Sequence, residues 1–385
     1  MELSGRICFV KLTRITLKNY RNIAQMELSP CDTVNVIYGD NGQGKTNLLE
    51  SIYLLTGNPS FRGAKLSEVI RFSQKQSQIT ALFSDQEREQ KLSIKLGAKK
   101  EILLNQVPLK KYSELAGQFY CVVFSPEDLD FVKGSPKNRR RFLDSAICQI
   151  TPQYMGYLEQ YDHVLEQRNA LLKELNRSPY WKDTLDIWDL QLAKLGTILS
   201  IYRKDYLAKL GRVSSVIYDG LSSQRERFSL RYLSSGFDSM EEITSYEDEI
   251  IKDYLQKLQS FLEQDIRCGF TNVGIHRDDI DLLVNDLPAK TYGSQGQQRS
   301  CILALKLAEA SLLYRVTGEK PVILLDDVMS ELDAGRQEYV LNHVKDQQVF
   351  ITCCDVIHTI RLKEGKIFRV GGGSLMEEKA FSQVE

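Results

Sequence analysis

The stretch of this 385-residue chain best equipped for chemistry is Gly39-Asp40-Asn41-Gly42-Gln43-Gly44-Lys45-Thr46. It fits GxxxxGK[ST], in which glycines let backbone amides turn toward an anion and a lysine follows where a helix starts. The amides would face β- and γ-phosphates, Lys45 would neutralise the terminal phosphates, and Thr46 would hold Mg2+. A second stretch, Val322-Ile323-Leu324-Leu325-Asp326-Asp327, is four apolar residues followed by a carboxylate pair. As a buried parallel strand it would deliver Asp326 at its C-terminal end to hold a water on Mg2+, with Asp327 polarising the attacking water. The third stretch, Ser294-Gln295-Gly296-Gln297-Gln298-Arg299, opens a long helix and offers an anion site at its start. Because the first loop already surrounds its own nucleotide, this site would serve the γ-phosphate held by a partner chain. An ordinary N-cap is the alternative, and Ser330-Glu331-Leu332-Asp333 after the acidic pair weighs against it.

These residues need a framework. Val34 to Tyr38 alternates and is β-branched, so a strand should lead into the glycine loop, and Thr46 to Leu55 has helical spacing. Leu12 to Leu17 is another strand. Alternating runs from Gln78 to Leu104, broken at Asp85 to Glu89 and Gly97 to Lys100, predict an antiparallel meander, and Phe119 to Phe124 a buried strand. The texture then turns helical from about Ser135 to Gln264. Tyr154, Leu158, Tyr161, Leu165, Leu172 and Leu175 form one stripe, and Trp188, Leu192, Leu195, Leu199, Tyr202 and Tyr206 another. With a break at Asn176-Arg177-Ser178-Pro179, they predict an antiparallel hairpin of two helices, each about 25 residues and roughly 35–40 Å long. Strands return at Asp281 to Val284, Val322 to Leu325 and Val349 to Thr352, with a helix from Gln297 to about Tyr314. The expected domains are residues 1–134 and 266–385, two parts of one α/β head, with residues 135–265 an inserted helical arm.

Composition narrows the class. With 42% hydrophobic and 26% charged residues the chain is globular, which excludes disordered, collagen-like and disulfide-scaffold classes. No run of eighteen apolar residues occurs, so no membrane span is expected, and the first ten residues do not read as a signal peptide. Eight cysteines show no CxxC spacing, consistent with a reduced, cytoplasmic compartment. Net charge is −1, but residues 1–145 carry +7 and the remainder −8. That asymmetry suggests a basic surface that could meet phosphates, or charges merely scattered over solvated faces.

The glycine loop, SxGQ, the apolar Asp-Asp strand and SELD, in this order, resemble the ABC-type ATPases. Lys45 and Asp326 lie 281 positions apart, too far for a compact transporter ATPase and too near for an SMC-type coiled coil. A head split by a modest helical arm is similar to the RecF family of bacterial recombination mediators. Leu17-Lys18-Asn19-Tyr20-Arg21-Asn22, Ser60-Phe61-Arg62, Gly134-Ser135-Pro136, Arg140-Arg141-Phe142-Leu143-Asp144 and Gly274-Ile275-His276-Arg277-Asp278-Asp279 resemble its pattern as well, covering the chain from about Leu12 to Thr352. The resemblance implies an ABC-type head of mixed sheet, an antiparallel meander plus a parallel core. It implies ATP bound with Mg2+, and a homodimer sandwiching ATP against Ser294. It further implies slow hydrolysis, binding to gapped, single-stranded or junction DNA, and partnership with RecR and RecO in loading RecA. DNA repair, replication, recombination and the SOS response are the processes implied.

Where many ABC relatives carry Glu after the Mg2+-binding Asp, this chain has Asp327, which suggests slow turnover. Thr352-Cys353-Cys354 stands where a switch histidine is expected, His358 lies farther along, and Ser125-Pro126-Glu127 occupies the place of a Q-loop glutamine. Lys137-Asn138-Arg139-Arg140-Arg141 opens a helix and would meet either DNA phosphate or carboxylates such as Asp144. Lys95, Lys99 and Lys100, at a meander turn, would touch DNA or simply be solvated. Arg21 and Arg62 are candidates to reach the nucleotide, and His276 reads more readily as structural than catalytic. Two rivals remain: a P-loop motor or nuclease, for which no extra carboxylate cluster is found, and a nucleotide-gated protein scaffold that touches no DNA.

Overall fold

The computed structural model describes residues 8–85, 88–174, 180–240, 243, 245–355 and 364–382. The chain divides into two compact units, Met1–Asp128 with Ile302–Glu385, and Leu129–Cys301.

The first unit begins with β1 (Cys8–Phe9), β2 (Lys11–Tyr20), β3 (Ile23–Leu28), β4 (Val34–Tyr38) and α1 (Lys45–Tyr53). It continues through β5 (Ser77–Ser84), β6 (Glu89–Leu96), β7 (Glu101–Leu104), β8 (Val107–Leu109) and β9 (Cys121–Phe124). The second unit holds α2 (Leu129–Lys133), α3 (Pro136–Ile150), α4 (Pro152–Lys173), α5 (Trp181–Ser222), β10 (Phe228–Leu233), α6 (Asp248–Ser260), α7 (Leu262–Cys268), β11 (Asp279–Val284), β12 (Leu287–Pro288) and α8 (Ala289–Tyr292). Helix α9 (Gln295–Thr317) leads back to the first unit, completed by β13 (Glu319–Lys320), β14 (Val322–Asp326), α10 (Ala334–Val344), β15 (Val349–Cys353), β16 (Glu364–Gly371) and β17 (Ser374–Ser382).

Two six-stranded sheets build the first unit. One is the antiparallel meander β3-β2-β5-β6-β7-β8; the other, β17-β16-β4-β15-β14-β9, is parallel except for its last hairpin. The parallel strands read as continuous apolar runs because both faces are covered. Every residue of β14 and of β15 is buried. Leu48, Leu49 and Ile52 of α1 share a core with Leu12, Ile15 and Leu17 of β2 and with Ile37, Val322, Leu324 and Phe350 of the parallel sheet. Such burial accounts for why this helix has few polar faces. Its one interior acid, Glu50, is fully buried and takes hydrogen bonds from Arg21 Nε (2.9 Å) and Nη2 (2.7 Å), Tyr20 (3.0 Å) and Ser60 (2.5 Å). Burial alone would raise the Glu50 carboxyl, but the bonds from Arg21, Ser60 and Tyr20 prevail and hold it below its ordinary range.

In the second unit, residues 266–301, expected with the head, cluster instead with the arm. The reason is strand pairing: β11 is antiparallel to β10, with Phe228 opposite Val284 and Leu233 opposite Asp279. Strand β10 lies inside the stretch expected to be helical. Helix α4 has 22 residues and α5 has 42, about 33 and 63 Å, so the two helices are far from equal. The expected break at Asn176 to Pro179 lies outside the described residues. Buried arginines tie this unit together. Arg168 pairs with Asp189 (2.5 Å) and Asp265 (2.6 Å), and Arg203 with Asp144 (2.9 Å) and Asp278 (3.4 Å).

Candidate functional site

Three neighbouring parallel strands end on one edge of their sheet, and each delivers one wall of a site. Asp326 is opposite Thr352 and Cys353 opposite Tyr38 in the register, so the glycine loop, the Asp pair and Thr352 to Cys354 emerge together. Gly39, Gly42 and Gly44 have φ of 151°, 78° and 109°, values side chains resist. A Cβ on Gly39 would meet Val370 O at 2.2 Å, and one on Gly44 Asn22 Oδ1 at 2.9 Å; at Gly42 it would point into open space. The loop is pinned from outside. Asn22 Nδ2 donates to Gly42 O (2.8 Å), and Gly372 N and Gly373 N donate to Gln43 Oε1 (2.6 Å) and Gln43 O (3.2 Å).

Lys45 is 4% exposed and its ammonium donates to Gly39 O (2.6 Å) and Asp40 O (3.2 Å), with Cys354 Sγ at 3.7 Å. Cys354 in turn donates to Asn41 Oδ1 (3.2 Å). Thr46 Oγ1 (2.9 Å) and Thr352 Oγ1 (2.8 Å) both donate to Asp326 Oδ1. Burial pushes the Asp326 carboxyl up to about 6, aided by Asp327 and Glu127 and opposed by the Thr352 and Thr46 hydroxyls. Asp327 N donates to Thr352 Oγ1 (2.9 Å), and its φ of 53° is left-handed, a conformation Asp adopts more readily than most residues. That backbone gives a local reason for the shorter acid at this position.

Asn41, Gly42, Gly44, Lys45, Thr46, Asn47, Arg62 and Asp327 line a pocket of about 240 Å3. Its donors (loop amides, a lysine, an arginine) suit a polyphosphate, and the adjoining Thr46 hydroxyl and Asp326 carboxylate form a hard-oxygen pair of the kind that suits Mg2+. Arg62 reaches the pocket, where it donates to Asn47 Oδ1 (3.0 Å); Arg21 does not, being committed to Glu50. Ser125 to Asp128 leaves the end of β9, beside β14, and Asp128 Oδ2 accepts from Ser125 N (2.7 Å). Glu127 acts on Asp326 through its charge. His358 lies outside the described residues. In the SELD stretch, Ser330 Oγ donates to Asp327 O (2.7 Å) and Asp333 caps α10 by accepting from Arg336 N (3.0 Å).

In the second unit Ser294 begins α9 with a reciprocal capping box: Gln297 N donates to Ser294 Oγ (3.2 Å) and Ser294 N to Gln297 Oε1 (2.7 Å). Gln297 Nε2 also donates to Glu226 Oε1 (2.7 Å), while Ser294 is exposed and Gly296 half-buried.

The basic candidates separate. Arg139, expected as a candidate for DNA phosphate, is instead buried and grips Asp279 with Nε (2.5 Å) and Nη2 (3.0 Å), while Nη1 donates to Phe131 O and Gly134 O. Such a residue is unavailable to DNA. Arg140 is half-buried and donates to Asp278 O (2.7 Å), and burial followed by the nearby Arg203 lowers its pKa. Arg141 is half-buried. Lys99 and Lys100 are exposed, Lys100 lying 5.6 Å over the Tyr112 ring; Lys95 pairs with Glu101 (2.9 Å). His276 is enclosed, between Tyr161 OH (2.9 Å) and Thr271 O (3.0 Å). Reasoning from sequence did not single out Asn22, Asn47, Thr352 as an Asp326 ligand, or Glu50; the last was detectable only as an acid within an apolar helical stretch.

The phosphate-ready loop at the edge of a parallel sheet, the adjoining meander and the helical insert define an ABC-type ATPase head. Residues 11–364 match the family described as the RecF/RecN/SMC N terminal domain. An SMC head from Pyrococcus furiosus, at 15% identity and TM-score 0.53 over 97% of both chains, shares the fold alone. The relatives are more specific. DNA replication and repair protein RecF of Ruminiclostridium cellulolyticum is 40% identical over 94% of this chain and 98% of its own, and that of Clostridioides difficile 39% over 95% and 98%. A structure of the recombination mediator protein RecF-ATP in the RecFOR pathway superposes with TM-score 0.88 at 36% identity, covering 99% of this chain and 100% of that one. The chain belongs to the RecF family of DNA replication and repair proteins.

Proposed function

We propose that this protein is an ATP-gated DNA clamp. The observation that carries the reading is the convergence of Lys45, Thr46, Asp326 and Asp327 at the ends of adjacent parallel strands, beside a pocket lined by loop glycines. Residues 39–46 bind the phosphates of ATP, and Thr46 with Asp326 holds Mg2+, which neutralises charge on the terminal phosphates. Asp327 polarises the attacking water, and Lys45 exchanges its loop carbonyls for phosphate oxygens. A second copy closes the site with its Ser294, Gly296 and Gln297, the capping-box serine and helix amides facing the γ-phosphate. Closure joins basic surfaces on the two copies into a DNA-binding face, and slow hydrolysis releases it as a timer.

The relatives' names support a place in DNA replication and repair and in the RecFOR pathway. The clamp acts on gapped, single-stranded or junction DNA, with RecR and RecO as partners and RecA loading as the outcome, in replication-fork repair and SOS induction. Its setting is the cytoplasm; among the described residues no helix is long and apolar enough to cross a membrane. Sedimentation of the protein with a fluorescent gapped duplex, with and without Mg·ATP, tests the reading. A dimer that forms on DNA only with ATP is expected. ATP-driven dimers that ignore DNA would instead mark a scaffold, and a monomer under all conditions would remove the sandwich.

A further inference from the structure

Phe72 is 93% exposed, yet the turn that carries it is tightly held. Arg71 N donates to Asn19 O (2.8 Å), Gln74 N to Arg71 O (3.0 Å) and Arg21 N to Val69 O (2.7 Å), and Tyr20 bridges Ile70. Ser73 turns the chain with φ 65°. The ring is therefore presented to water by a fixed turn at the end of β2, with polar Ser73 and Gln74 following it.

Its surroundings are cationic. Arg71 and Lys75 flank it in sequence, and no acidic residue occurs between Val69 and Ser84. The next turn is adjacent: a Cβ on Gly97 would approach Lys75 O to 3.1 Å and Gln76 Cβ to 3.2 Å, which places exposed Lys99 and Lys100 beside the Phe72 turn. Glu68, just before the turn in sequence, accepts from Lys65 N (3.1 Å), and Glu101, beside Lys99 and Lys100 in sequence, pairs with Lys95 (2.9 Å). The segment reaching this turn starts at Arg62, in the wall of the phosphate pocket.

An exposed aromatic ring among cations is a poor match for a protein hot spot, which needs an apolar centre and a rim that excludes water. It matches a polyanion with flat π-faces. Single strands are bound in this way, with basic side chains along the backbone and aromatics under the bases. We propose that Phe72 stacks on an unpaired base of single-stranded DNA where the strand leaves a duplex, with Arg71, Lys75, Lys99 and Lys100 on the flanking phosphates. This rests on the reading above that the protein binds single-stranded or junction DNA, and adds which residues hold the unpaired strand.

The test uses the full chain with Mg·ATP and two DNAs: a blunt duplex, and the same duplex with a single-stranded extension carrying 2-aminopurine at its first unpaired position. Stacking quenches 2-aminopurine in the parent protein. Phe72→Ala loses about 5- to 150-fold in affinity for the extended DNA, the loss of one stacked base, while blunt-duplex affinity changes less than twofold. Phe72→Trp retains both affinity and quenching. If the parent binds both DNAs and Phe72→Ala binds the extended one equally well, the stacking proposal is overturned and the DNA reading stands. If the parent binds neither DNA, both fall.

Discussion

His276→Asn is the perturbation whose size can be worked out most fully from the structure. The Thr271 carbonyl can only accept, so Nε2 carries a proton, and in the neutral ring Nδ1 is left to accept from Tyr161 OH. The charged form of the imidazole is disfavoured by its surroundings. Burial pushes it down to about 4, with Arg277, Arg140 and Arg203 acting in the same sense and the Thr271 bond opposing them. In the unfolded chain the group returns to 6.5, so between about 4 and 6.5 the unfolded state binds the proton and the native state does not. The stability this group contributes is complete above 6.5 and is lost as pH falls toward 4, about 3 kcal/mol in all and about 2 kcal/mol by pH 5. Asparagine offers Oδ1 in place of Nδ1 to Tyr161 but gives up the bond to Thr271, costing about 1–3 kcal/mol at pH 8. Urea unfolding followed by circular dichroism at pH 8 and pH 5 should show the gap between parent and variant shrinking by about 2 kcal/mol at the lower pH. A gap that is the same at both values would refute the neutral, buried assignment.

Other substitutions separate the remaining roles. Ser294→Arg should leave ATP affinity within about threefold while abolishing the ATP-induced dimer; the lost cap costs about 1 kcal/mol, and a dimer of parental strength would refute the shared site. Asp327→Asn should slow ATP hydrolysis by about 10²–10⁴ and prolong the closed dimer, so unchanged single-turnover kinetics would strip Asp327 of its role. Arg139→Ala should cost about 3 kcal/mol of stability through the orphaned Asp279 and change DNA affinity less than twofold. Full stability with a tenfold loss of DNA affinity would return Arg139 to the nucleic acid surface.

The site was legible where chemistry is local. The glycine loop, its strand and helix, and the apolar strand ending in Asp326 follow from short-range pattern, and the structure places them together. What escaped depended on distant partners. Arg139 has the same neighbours in sequence as a phosphate-binding arginine, and only its contact with Asp279, 140 residues away, makes it structural. Glu50 and Arg21 are 29 residues apart and reveal their pairing only when α1 is packed beside β2. Strand β10 sits within a helical region because its pairing with β11 overrides local texture. The full length of α5 went unrecognised although Tyr206, Leu210 and Ile217, all buried, continue the helical spacing of the stripe before them.

The order of strands in the parallel sheet has a consequence for how the protein is made. Strands β4 and β9 belong to the first third of the chain, but β15 and β14 lie between them and come from the last third. Val322 leaves the ribosome 198 residues after Phe124, a delay of about 10–40 s at ordinary rates of synthesis. Throughout it, two apolar strands have unfilled hydrogen-bonding edges and the helix after the glycine loop lacks half its packing surface. The nascent N-terminal segment is thus a natural client for a chaperone at the ribosome, and a chain truncated before Val322 should be cleared by proteolysis, since it cannot persist as a half-built head.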